Sequence, residues 1–344
     1  MIYRLIRTGR ISENPHRGNA GPQRVVTRGF LRLRRAITCG GACEFLEEKK
    51  MMKSKAGFIG LGVMGGPMAG HLTQKYDVMV YDVDTDRMAR WEKNRQAACV
   101  GDVGEFADMV LLSLPSSEIV REVTIGKEGL LHAMRKGGVV IDTSTTEPTV
   151  SRRIADVLAQ AGIDFMDAPV SGGEGAAKAG SLAVMAGASP SVFDRYKPCL
   201  AVFGRSVVRV GEIGSGGVAK LVNNMIVGAT FAVIAESFAL GMKNGLDPQI
   251  LYNAIRDGWA GSHVLDVAAP GIIARDFEPG GTINLLFKDM GYALSLARSD
   301  NVPVPMTAVA DEIFKAARAA GKGGFAQQII IQLWEKLPGM EKDK

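Results

Sequence analysis

The sequence predicts an α/β domain with a doubly wound parallel sheet, followed by an all-α domain built around one long interdomain helix. Three observations carry that expectation. Short apolar runs alternate with helix-length segments through the first part of the body, and a glycine-rich turn joins the first such run to the first helix. After Gly217 the strand-like runs cease and only helix-length stretches follow.

The first strand is read at 56–60, entering the glycine turn and a helix-compatible stretch that runs to Leu72. Asp-Val-Met-Val-Tyr at 77–81 reads as the second strand, ending at Asp82. Apolar runs at 109–112 and 139–141 are further strands, with helical segments at 119–134 and 149–161. Runs at 163–167, 182–186 and 207–210 extend the sheet. Strands apolar on both faces are those of a parallel sheet covered by helices on each side. The stretch 218–244 is apolar on most sides and ends at Gly245, a C-cap residue, so it is expected to be buried between the domains. Helices are expected at 248–256, 283–298 and 306–320. The resulting division is a leader over 1–52, a nucleotide-binding domain over 53–214 and a helical domain over 215–338.

A chain of 344 residues is longer than one hydrophobic core usually serves, which agrees with two domains. The net charge of +5 does not mark a nucleic-acid partner, because it is confined to the leader. Residues 1–50 hold nine Arg and two Lys against four Glu, while the remainder holds 30 basic and 32 acidic residues. Cys39, Cys43, Cys99 and Cys199 are too few for a disulfide framework and lack the ligand count of a zinc site, so no metal is expected and a reducing compartment fits. The stretch 221–242 is the one candidate membrane span, but Asn223, Asn224 and Glu236 within it and Lys220 before it argue for a core helix.

The leader carries two readings. Residues 1–43 hold nine Arg and a single acidic residue, Glu13, as in a mitochondrial transit segment, which would place the protein in the matrix. The favoured reading is that translation begins at Met51 or Met52 and the protein is cytoplasmic. Glu47-Glu48-Lys49-Lys50 would be encoded by a purine run resembling a bacterial ribosome-binding site.

Gly60-Leu61-Gly62-Val63-Met64-Gly65 fits G-x-G-x-x-G, a weak pattern alone. Here it follows a strand and opens a helix, and an acidic residue, Asp82, stands 22 positions after Gly60 at the end of the second strand. The glycines permit a tight turn, close approach of backbone to a pyrophosphate and close helix–strand packing, and the helix N-terminus offers N–H groups to the phosphates. These features predict a Rossmann-type dinucleotide site. Asp82, whose other reading is a surface-turn aspartate, would accept hydrogen bonds from the ribose and repel a 2′-phosphate. The next arginine is only Arg87, so NAD is expected over NADP.

The histidines do not form a catalytic site: His16 lies in the leader, His71 and His132 on sheet-covering helices, and His263 in a Gly-Ser-His turn. Lys220 is the better candidate. It stands near the start of the long helix after the glycines of 214–217, which would let backbone and cofactor come close, and Asn224 at i+4 shares its face. Burial and the positive helix end would both lower its pKa toward that of a general base. On these residues alone, a structural interdomain lysine is an equally good reading.

Four signatures then occur in order: Gly-Phe-Ile-Gly-Leu-Gly-Val-Met-Gly at 57–65, Asp-Ala-Pro-Val-Ser-Gly-Gly at 167–173, a Gly-Xaa-Gly-Xaa-Xaa-Xaa-Lys-Leu-Val-Asn-Asn run from Gly214, and Phe-Lys-Asp-Met at 287–290. Through them the chain resembles the β-hydroxyacid dehydrogenase family over residues 55–336. The resemblance implies reversible hydride transfer between NAD(H) and a small 3-hydroxy acid or its semialdehyde. By the same resemblance Lys220 is the proton donor and acceptor, and Asn224 orients substrate and lysine. Ser171, Gly172 and Gly173 hold the substrate carboxylate, in keeping with an anion nest of successive N–H groups. Leu114, Pro115 and Thr145 match cofactor contacts, and Lys288 matches a lysine that closes over nicotinamide and depresses the pKa of Lys220. The segments 167–174, 211–216 and 260–266 place 2-hydroxy-3-oxopropionate (tartronate semialdehyde) first among substrates and 3-hydroxyisobutyrate second. His263 departs from the expected pattern and leaves substrate size open. A 6-phosphogluconate-type enzyme would want a histidine where Asn223 stands. A non-catalytic nucleotide-binding scaffold, the alternative of a different class, would be expected to have lost the lysine. The resemblance also implies a homodimer or homotetramer packed through the helical domain.

Overall fold

Eight strands form one sheet in a computed structural model that describes residues 53–278 and 280–335. The whole of the expected leader, with His16, Cys39 and Cys43, lies outside the described residues. The strands are β1 (Lys55–Ile59), β2 (Asp77–Tyr81), β3 (Met109–Leu112), β4 (Val139–Asp142), β5 (Asp164–Asp167), β6 (Val170–Ser171), β7 (Leu182–Gly187) and β8 (Gly204–Gly211). Their order is β2-β1-β3-β4-β5-β7-β6, with β8 beside β7. The pairs β1–β2, β1–β3, β3–β4 and β4–β5 are parallel, while β7 runs antiparallel to β5 and β6. Every residue of β3 and β4 is buried, as the uniformly apolar runs require. Helices Gly65–Leu72 and Pro190–Leu200 pack one core on one face; Val100–Phe106, Ser117–Ile125 and Pro148–Gln160 pack a second on the other.

The strand order reverses between β2-β1 and β3, so a crevice opens at the C-terminal ends of β1 and β3, where dinucleotides bind in such sheets. The helix expected at 119–134 is shorter than that, Ser117–Ile125. It stops where Gly126 caps it with an extended backbone, and a separate short turn, Leu130–His132, follows.

Beyond β8 the chain is helical: Ser215–Lys243, Pro248–Ile255, His263–Ala274, Ile283–Ser299 and Pro305–Ala319, closed by a short 3-10 segment, Gln327–Leu333. The helix His263–Ala274, which carries Pro270 inside it, is an addition to the helices expected from the sequence. His263 is therefore its first residue rather than part of a loop, and Ser262 Oγ caps it by accepting the Leu265 N–H at 3.1 Å.

The long helix departs from expectation in two ways. In the single chain it is not buried all round, since Val222, Ile226, Val233 and Leu240 form an exposed stripe along one side. By length and composition it could cross a membrane, but its other sides bury Phe231, Ile234, Ala235 and Phe238 against the remaining helices. Nor is Gly216 a space left for a cofactor. A Cβ on Gly216 would lie 2.4 Å from the Met185 carbonyl and 2.6 Å from that of Asp167, so this glycine lets the helix touch the sheet. Asp167, the last residue of β5, fixes the contact: Gly214 N–H donates to its Oδ1 at 2.7 Å and Gly217 N–H to its Oδ2 at 2.8 Å.

Gly216→Ala is expected to lower stability by about 1–3 kcal/mol, because neither carbonyl can retreat. Gly291→Ala, in a helix with open space around the new methyl, is expected to raise it by about 0.5–1 kcal/mol. Denaturant melts of the two variants beside wild type read both signs.

Candidate active site

The predicted nucleotide turn is shaped as its glycines require. Gly60 has φ +95°, and a Cβ there would stand 2.2 Å from the Ser113 carbonyl. A Cβ on Gly65 would stand 1.9 Å from the Gly60 carbonyl. Helix Gly65–Leu72 begins after Met64 with no side-chain cap. Gly66 N–H donates to the Gly62 carbonyl at 2.9 Å and Pro67 has no N–H, so the Gly65 N–H is what the first turn offers to an anion such as a pyrophosphate. Val63, half exposed, lines the same turn.

Asp82 sits at the end of β2, as expected, but does more than the sequence reading assigned to it. Its Oδ2 accepts the Leu61 N–H at 2.6 Å and its Oδ1 the Asp84 N–H at 2.8 Å, so the carboxylate anchors the glycine turn to β2. Arg87 lies 3.5 Å from Asp82 and 3.1 Å from Asp84, and its charge is thus engaged by two carboxylates.

The loops after β3 and β4 border the turn. Leu114 N–H donates to Ser144 Oγ at 2.8 Å, which ties the Leu114–Pro115 segment to the loop carrying Thr145. That second loop is held by buried Asp142, whose carboxylate accepts the Ser144 N–H at 2.9 Å and the Thr146 hydroxyl at 2.6 Å. Asp142 and Asp167 are register partners on adjacent strands. Burial raises the pKa of both, and that of Asp167 reaches about 7; the charge of Asp142 adds to the rise at Asp167, and its two backbone N–H partners oppose it.

Lys220 is half-buried one turn into the long helix. Burial is the main cause holding its pKa below the ordinary lysine value; Asp289 pulls it up and Lys288 pushes it further down. Asn224 is buried on the same face and donates through Nδ2 to Asp289 Oδ2 at 2.7 Å, while its Oδ1 accepts from Asn223 at 2.9 Å. Lys288 Nζ reaches Asp289 Oδ1 at 2.7 Å and lies 4.6 Å from the Tyr292 ring centre. Tyr292 Oη in turn accepts the Ser117 N–H at 3.3 Å, which links helix Ile283–Ser299 to the first residue of helix Ser117–Ile125.

Asp289 and Tyr292 are the members of this cluster that sequence reasoning gave no role. Asp289 was visible only as a letter in the Phe-Lys-Asp-Met signature. Ser171 ends β6; Gly172 and Gly173 follow with φ +134° and +70° and open the short helix Gly173–Ala179, so both glycines are exposed. Among the described residues, this turn makes no hydrogen bond to Lys220 or Asn224. No metal-binding cluster of His, Cys, Asp or Glu occurs among the described residues.

Two family profiles match the chain. Residues 55–211 match the NAD binding domain of 6-phosphogluconate dehydrogenase, and residues 214–334 match the NAD-binding domain of NADP-dependent 3-hydroxyisobutyrate dehydrogenase. The chain is 38% identical to 2-(hydroxymethyl)glutarate dehydrogenase of Eubacterium barkeri, over 83% of this chain and 96% of the relative. It is 36% identical to the mitochondrial 3-hydroxyisobutyrate dehydrogenase of Rattus norvegicus, over 78% and 83%. Identity to the 2-hydroxy-3-oxopropionate reductase of Escherichia coli is 33%, over 82% and 97%. Among solved structures, Mycobacterium tuberculosis 3-hydroxyisobutyrate dehydrogenase with L-serine superposes with a TM-score of 0.74 at 28% identity, covering 82% of this chain and 99% of that one. With its turn, sheet order and helical domain all in place, the chain belongs to the β-hydroxyacid dehydrogenase family, NAD(P)-dependent oxidoreductases acting on the CH–OH group of small hydroxy acids.

Proposed function

We propose that Lys220 is the acid/base of a reversible oxidation of a small 3-hydroxy acid to its semialdehyde, and that NAD is the preferred dinucleotide. The observation that carries this reading is the joint environment of Lys220. One buried carboxylate, Asp289, gathers Asn224 and Lys288 around it. When bound, the dinucleotide takes up or supplies the hydride at the carbinol carbon. The hydroxyl proton passes to neutral Lys220 Nζ in oxidation and returns from its ammonium in reduction. Asn224, with one N–H fixed by Asp289, keeps its second N–H for the reacting oxygen. The turn Ser171–Gly173 receives the carboxylate, and Leu114, Pro115 and Thr145 border the nicotinamide.

NAD is favoured by Asp82, which would face a 2′-phosphate with like charge, and by Arg87, the nearest arginine, which is already paired. For the substrate, the segments 167–174, 211–216 and 260–266 favour 2-hydroxy-3-oxopropionate. The 38% identity to a 2-(hydroxymethyl)glutarate dehydrogenase makes a longer dicarboxylate the second reading, and 3-hydroxyisobutyrate the third. The stripe Val222, Ile226, Val233 and Leu240 lies on the side of the long helix opposite Lys220 and Asn224. It supports assembly of two or four copies through the helical domain, with each active site left open.

Lys220→Ala should lower kcat at least about 100-fold in either direction. Lys288→Met removes the like charge beside Lys220 and frees Asp289 to raise its pKa, so the limb of the oxidation pH profile should move to higher pH; a limb that stays put or moves down refutes the assignment. Asp82→Asn, which drops the charge and keeps one of the two acceptors of the turn, should narrow the preference for NADH over NADPH by about tenfold. NADH oxidation against 2-hydroxy-3-oxopropionate, 2-formylglutarate and methylmalonate semialdehyde should rank kcat/KM in that order; a different leader changes the substrate, and no turnover with any returns the scaffold reading.

A further inference from the structure

The geometry points to His71 as a positioning residue that sets the Ser171–Gly173 turn against the dinucleotide-binding helix, an inference that rests on the proposed carboxylate role of that turn. His71 lies in the last turn of Gly65–Leu72, the helix whose N-terminus opens the glycine turn. Its Nε2 stands 3.1 Å from the Ala177 carbonyl and 3.0 Å from the Lys178 carbonyl. Both partners are acceptors, so Nε2 carries the proton and donates to both.

These carbonyls are the last of helix Gly173–Ala179, whose other end is the turn itself. A helix end leaves its final carbonyls without partners inside the helix. Gly180 turns back with φ +64° and sends its N–H to the Ala176 and Ala177 carbonyls, while the Lys178 carbonyl is served by the imidazole. The fit is close on both sides. A Cβ on Gly180 would approach His71 Cε1 to 3.3 Å, in a conformation that side chains disfavour. Met68, Leu72, Ala176 and Ala177 pack within the same core, so the imidazole bond sits at the edge of an apolar contact between the two helices.

A seven-residue helix is too short to hold its own place, and its opening glycines are exposed. The tether therefore converts the rigid nucleotide-binding helix into a reference for the carboxylate turn. Movement of the short helix would carry the turn's N–H groups away from the carboxylate and leave Lys220, on a different element, where it is.

The test uses the full-length enzyme with His71→Ala and His71→Gln, the latter retaining an amide donor. Hydrogen exchange is read first, without substrate. His71→Ala should lose protection about three- to tenfold across 171–181 and not elsewhere, with recovery in His71→Gln. In kinetics, His71→Ala should raise KM for the semialdehyde by about the same factor while kcat stays within about twofold. A uniform loss of protection, an unchanged KM, or a Gln variant no better than Ala overturns the proposal. The carboxylate reading has a separate arm in wild type, 3-hydroxyisobutyrate against its carboxamide. Equal KM values there would dismiss the carboxylate role, while the exchange data would still report on the tether.

Discussion

The carboxylate of Asp167 is the joint on which the rest of the structure depends. It ends β5, and it accepts two backbone N–H groups from the first turn of the long helix. A helix leaves its first N–H groups unpaired and carries partial positive charge there, so an anion is the natural stopper. Here the stopper is supplied by the sheet and not by the residue before the helix, which is Gly214. The helix is thereby indexed to the C-terminal edge of the sheet, and Lys220 and Asn224 are carried to that edge one and two turns later. Gly216 removes the side chain that would hold helix and sheet apart. The arrangement has a cost, since burial and neighbouring Asp142 both raise the Asp167 pKa. The two N–H groups are what keep a charged form affordable at that position.

The second constraint is the shared carboxylate of Asp289. An ionised carboxylate only accepts hydrogen bonds, so the Asn224 amide must present its nitrogen to it and turn its oxygen to Asn223. The amide orientation is thus decided by its surroundings. The same carboxylate pairs with Lys288, which places a second cation near Lys220 without leaving it unbalanced. Asp289 and Lys288 pull the Lys220 pKa in opposite directions, and burial decides the sign.

Much of this was legible in the sequence because it is local. The strands at 77–81 and 109–112 are short, mainly apolar runs, and the structure places them at the same bounds. The glycine turn announces itself because its conformation admits few other residues. What stayed hidden depends on distant pairs. Asp289 sits among helical residues with no pattern that sets it apart, and its role exists only because Asn224 lies opposite. The glycines of 214–217 were read as space for a cofactor, although the sheet backbone takes the space at Gly216, a fact settled by β5 and β7. The Gly-Ser-His run at 261–263 reads as a turn, although its Ser262 is the cap of the helix that His263 opens.

Asp82 shows why a residue can be placed correctly and still be understood in part. Its position after the second strand predicted a ribose partner, and the acidic side chain suits that task. In the fold the same oxygens already hold the Leu61 and Asp84 N–H groups, so the carboxylate shapes the turn before any ligand arrives. A carboxylate oxygen has more than one acceptor direction, so the two tasks are compatible. They are not separable by deletion: removing the side chain would loosen the glycine turn and take away the proposed ribose partner together. An isosteric change to asparagine drops the charge and keeps one of the two acceptors, so the N–H left facing the amide nitrogen loses its partner. Arg87 follows the same logic, because its pairing with Asp82 and Asp84 neutralises charge around the turn.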